Sequence, residues 1–80
     1  MNEILDKEAF LLEYKRLKNR IYTIREENAR DELFFWLKET RKLYTESRGK
    51  ASLYLDNVDI KVKETFKNIE DLIASYPIHH

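Results

Sequence analysis

One glycine, Gly49, and one proline, Pro77, are all the backbone breakers in this chain. Little interrupts helix over most of its length, so the two residues act as punctuation. There is no linker, no low-complexity tract and no internal repeat. The spacing of apolar residues then decides what the uninterrupted stretches become.

The first helix is predicted to start at Asp6, which can cap it, while Leu5 staples to Phe10 four residues into the helix. Phe10, Tyr14, Leu17, Ile21 and Ile24 follow at spacings of 4, 3, 4 and 3, which makes one buried stripe. Asn28, with Asp31 three residues on, reads as a second cap; alternatively the helix runs straight through, since nothing there forbids it. The second helix is predicted over Ala29–Arg48, with Leu33, Trp36, Leu37, Thr40, Leu43, Tyr44 and Ser47 as its stripe. Gly49 then stands where a left-handed C-terminal cap belongs, with Arg48 and Lys50 near the negative end of the helix dipole.

Residues 51–76 admit two readings. As one helix, Ala51, Leu55, Val58, Val62, Phe66, Ile69, Ile73 and Tyr76 share a face. As a β-hairpin at about 52–62, Leu53 and Leu55 would pair with Ile60 and Val58 across an Asp56-Asn57 turn. The hairpin uses Leu53 and Ile60, which the long helix leaves on its polar side, and it suits the β-branched residues. Against it, Asp-Asn is a weaker hairpin turn than Asn-Gly, and a lone hairpin is marginal. The helix is preferred, and Pro77 ends it. The expected fold is therefore an all-α, antiparallel three-helix bundle, one domain over residues 1–80 with a short tail at 77–80.

The stretch VDIKVKETFKNIEDLI resembles the strand-then-helix ending of small winged-helix excisionases and regulators. It spans 16 of the 80 residues, about a fifth of the chain, with no glycine turn upstream to mark a helix-turn-helix. The resemblance implies a DNA-binding regulator with residues 52–62 as a wing, and no site residue is carried across from it.

Charge and composition exclude more than they assign. Fifteen basic and fifteen acidic residues cancel, which removes the simplest argument for nucleic acid and leaves no net charge to oppose self-association. With 42% hydrophobic and 12% aromatic residues the chain should fold. The absence of cysteine rules out disulfides and thiolate metal sites, and fits a reducing compartment. No apolar run approaches a membrane span and no signal-peptide pattern opens the chain, so a cytoplasmic protein is expected. One glycine cannot build a phosphate-cradling loop. The two histidines, His79 and His80, are a terminal pair that reads as a tail or tag remnant. Without another histidine, Ser-His triads and His-x-x-x-His zinc sites are excluded. Glu26-Glu27 and Asp56 with Asp59 read as solvated or capping carboxylates. No catalytic, cofactor-binding or metal-ligating residue is assigned, and an enzyme is not expected.

The charge is nevertheless arranged in blocks: −3 over residues 1–14, +5 over 15–25, −3 over 26–40, +3 over 41–50 and −2 over 51–80. Packing of complementary neighbours explains this economically, with the basic stretch of the first helix beside Asp31, Glu32 and Glu39.

Two surfaces stand out. In ELFFWLK, residues 32–38, Phe34 and Phe35 lie about 100° and 200° from Leu33 on a helical wheel, off the main stripe. Leaving both rings in water forgoes roughly 3–6 kcal/mol. With Arg30, Lys38 and Arg41 they form a candidate partner-binding set, because apolar patches flanked by arginines mark interfaces. The second surface is KRLKNR, residues 15–20, extended by Arg25. Lys15, Arg16, Lys18, Arg20 and Arg25 are candidate phosphate-binding residues, although these cations wrap around the helix. The functional expectation is a small non-enzymatic helical interaction module or regulator of inhibitor, antitoxin or adaptor type. It would bind a protein partner and self-associate as a homodimer, with the winged-helix DNA-binding regulator as the alternative.

Overall fold

The computed structural model describes residues 5–49 and 52–76, with the side chains of residues 52–54 outside the description. Lys50, Ala51 and the 77–80 tail, with Pro77 and the histidine pair, lie outside the described residues. Among the described residues three helices make up the fold: α1 (Lys7–Ile21), α2 (Glu27–Ser47) and α3 (Ser52–Ser75).

Side-chain pairs give the directions. Phe10 of α1 meets Tyr44 of α2, while Tyr22, just past α1, meets Phe34 near the start of α2. Rising numbers on α1 against falling numbers on α2 make that pair antiparallel. Arg48 meets Asp59 across the α2–α3 turn, and Trp36 faces Leu72 further along. Leu5 reaches Asp59 and Arg16 reaches Glu70, so α1 and α3 run parallel. The bundle is up-down-up, and every helix packs on both others.

Each helix buries most of the stripe that its spacing predicts, with Tyr14, Leu43 and Tyr76 partly buried at its margins. Phe10, Leu17 and Ile21 are buried from α1, with Ile24 beneath the turn after it. Helix α2 buries Ala29, Leu33, Leu37, Thr40, Tyr44 and Ser47. Helix α3 buries Val58, Val62, Phe66, Ile69 and Ile73. The ring of Phe10 joins the three layers, stacked 4.0 Å from Tyr44 and 5.3 Å from Phe66 between centroids. Asp6 caps α1 by accepting the Glu8 N–H at 2.9 Å.

Four expectations are corrected. The hairpin is absent: α3 runs as helix through Asp56-Asn57, because Val58 and Val62 belong to one continuous stripe whose burial outweighs β-propensity. Ile60 stays 52% exposed on the polar side, and the wing of the alternative reading goes with the hairpin. Asn28 is not a cap; α2 begins two residues earlier with Glu26 at the cap position, and Ala29 is buried in the core. Gly49 is not left-handed; the chain leaves α2 through Arg48 in ordinary right-handed helical geometry. Trp36 is not in the stripe. It is 48% exposed at the edge facing α3.

Candidate functional site

Helix α2 has three kinds of surface. Its buried stripe faces inward. One flank meets α1, and there Phe34 is half-buried, packed against the core with its edge toward the Tyr22 ring at 4.9 Å. The Arg41 guanidinium lies 5.4 Å from the Tyr14 ring. Arg30 donates to the Ile24 carbonyl at 3.2 Å, which closes the α1–α2 turn. Of the candidate partner-binding set, then, Phe34, Arg30 and Arg41 make contacts within the bundle. Lys38 is exposed and, with Glu39, Arg41, Lys42, Thr45 and Glu46, lines a shallow depression of about 560 Å³ on the outer face of α2.

Phe35 is different. It is 54% exposed, and its only aromatic neighbour among the described residues is Trp36, ring edge to ring face at 5.6 Å. Trp36 in turn walls a groove of about 240 Å³ between α2 and α3, completed by Thr65, Asn68, Ile69 and Leu72. Leu72 is 47% exposed. The result is an exposed apolar strip across two helices, with Phe35 against Trp36 and Trp36 and Leu72 lining one groove. Sequence reasoning found Phe35 but missed Trp36 and Leu72. The available signal was that Trp36 sits about 40° off the centre of its predicted stripe, and tryptophan is seldom fully buried.

The basic residues of α1 divide. Arg16 donates to Glu70 at 2.7 Å and also pairs with Glu13, while Arg20 reaches Glu70 at 3.5 Å. The predicted neighbours Asp31, Glu32 and Glu39 are not the partners, because the parallel α1–α3 pairing brings Glu70 alongside first. Hydrogen bonding from Arg16 holds the Glu70 carboxyl below its usual range. Donating to Glu13 and Glu70 raises the Arg16 guanidinium above its own. Lys15, Lys18 and Arg25 have no ion-pair partner among the described residues. The five cations do not form one phosphate-tracking row.

At the other end of the bundle Asp59, read from sequence as solvated, is 2% exposed. Its carboxylate accepts from Arg48 Nη2 and from the Leu5 N–H, each at 2.6 Å. Arg48 also lies 3.9 Å from the Tyr44 ring centroid and donates to Ser47 Oγ at 2.9 Å. The Tyr44 hydroxyl donates to the Leu5 carbonyl at 2.7 Å, and burial pushes its phenol above the ordinary value against the opposing pull of Arg48. Every buried side-chain polar atom among the described residues has a partner. A network of this kind fastens the chain.

Among the described residues no group of three His, Cys, Asp or Glu could hold a metal ion, and no helix is long and apolar enough to cross a membrane. No family model matches the chain, and no curated protein or solved structure matches it either.

Proposed function

We propose that this is a small non-enzymatic helical interaction module, a regulator of inhibitor, antitoxin or adaptor type in the cytoplasm, that binds a protein partner through the Phe35–Trp36–Leu72 strip. The observation that carries this reading is the exposure of Phe35 and Trp36, 54% and 48%, side by side at the mouth of a groove with Leu72. Burying such rings is worth roughly 1.5–3 kcal/mol each. A domain with about 5–15 kcal/mol in total forgoes much by leaving them in water. Aromatic anchors beside a preformed groove are the composition of interface hot spots.

The test compares the parent with Phe35→Ser in an affinity capture from the native cell, with and without nuclease. The expected result is a protein captured by the parent, lost with Phe35→Ser, unaffected by nuclease, with equal thermal melting of the two proteins. Capture that survives the substitution, or that nuclease abolishes, contradicts the reading.

A further inference from the structure

We propose that the occupant of the Trp36–Leu72 groove is a basic amphipathic helix of a partner protein. The inference rests on the docking reading above and adds the chemistry of what docks. The groove is bounded by two antiparallel helices, with buried Ile69 as its floor and Trp36 and Leu72 as its apolar walls. A third helix laid along such a seam inserts side chains spaced three and four apart, as helix-in-groove recognition requires.

The rim selects the sign of the charge. Glu32 and Glu39 stand one turn before and one turn after Trp36, displaced outward by about 40–60° on the wheel, and Glu46 continues the row. On α3, Glu64 and Asp71 lie outward of Asn68 in the same way. All five carboxylates are exposed, and none is used by an ion pair among the described residues. The cations in this sector are Lys42 and Lys61, also exposed, and Lys38 and Arg41 join Lys42 around Glu39 and Glu46 on the outer side, so five acids face four cations. In a chain of zero net charge, the groove thus carries surplus negative charge, while the basic stretch lies on α1. A polyanion is repelled here. A second copy docking this same face about a two-fold axis would set acid against acid. Lysines or arginines flanking an apolar stripe complement both the groove and its rim.

Trp36 is the one tryptophan in the sequence, so its emission reports the groove directly. The probes are two helical peptides of about four turns with identical leucine spacing, one with lysine and one with glutamate at its polar positions. The expected result is a blue shift with the lysine peptide, weakened by salt. Glu32→Lys/Glu39→Lys should lower that affinity about tenfold and improve binding of the glutamate peptide. Leu72→Asp should abolish the shift while circular dichroism and melting stay as in the parent. Because that substitution adds an acid, attachment by charge alone would strengthen instead, and strengthening overturns the proposal.

Equal affinity for the two peptides, or preference for the glutamate peptide, overturns the basic occupant while leaving the docking reading standing. A blue shift that tracks the protein's own concentration without peptide assigns the face to a second copy and overturns the proposal. A shift with duplex DNA does so too. No shift with either peptide at any concentration overturns both the occupant and the face.

Discussion

Arg48 and Asp59, eleven residues apart in sequence, meet at 2.6 Å across the turn between α2 and α3, the carboxylate buried and the guanidinium 28% exposed. Because the same carboxylate also accepts the Leu5 N–H, it ties the start of the chain to the α2–α3 end of the bundle. Removing one partner of a buried pair costs roughly 3–5 kcal/mol, and the partial exposure of Arg48 places Asp59→Ala near the lower end. Asp59→Asn keeps an acceptor for Leu5 and should cost less. Urea denaturation of both variants measures the difference, and equal loss would mean that the charge contributes nothing.

Tyr44→Phe removes the hydroxyl that donates to the Leu5 carbonyl but keeps the ring stacked on Phe10. The expected loss is about 0.5–1.5 kcal/mol at neutral pH. The folded phenol titrates above its unfolded value. Its contribution is therefore complete below the unfolded pKa, about 10, and disappears as pH rises through the folded value. The gap between parent and Tyr44→Phe should narrow along the alkaline limb of a stability–pH curve.

Glu70 titrates in the opposite direction. Arg16 holds its folded pKa below the unfolded one. The contribution is thus present above the unfolded carboxylate pKa, about 4.3, and is lost as pH falls through the folded value. Glu70→Gln should lack that part of the acid limb. Because Arg16 and Glu70 are both exposed, the difference should shrink with added salt. Thermal melts from pH 6 downward at two ionic strengths, about 0.01 and 1 M, check both statements.

Gly49→Ala should be tolerated. The glycine does not occupy the left-handed region, and a Cβ there meets nothing within 4 Å. Restricting the unfolded chain then gives a gain of about 0.4–1 kcal/mol. A loss of stability in chemical denaturation would mean that the backbone at Gly49 needs glycine after all.

The fold was legible because two signals agreed. Spacings of three and four from Phe10 to Ile24 and from Val58 to Ile73 mark buried faces, and almost nothing between them breaks helix. Long-range geometry was less legible. Asp59 looks like any surface carboxylate until the fold brings Leu5, 54 positions away, to its side. The Arg16–Glu70 pair depends on α1 running parallel to α3, whereas sequence proximity favoured Asp31 and Glu32. In the candidate site, Phe35 could be placed on the wheel alone, but Trp36 lies at the stripe's margin, where only the position of α3 decides its exposure. Phe34, also off the stripe, is half sheltered by Tyr22 from the turn after α1, a contact no periodicity encodes.

Site-directed photo-crosslinking in the native cell tests the central claim most directly. Leu72→p-benzoylphenylalanine places the reactive group at the groove, and the same replacement at exposed Lys67 places it about 140° around α3. The account predicts a discrete protein adduct from position 72, none from position 67, and loss of the first in a Phe35→Ser background. Matching adducts from both positions, or an adduct at 72 that is indifferent to Phe35→Ser, would contradict it.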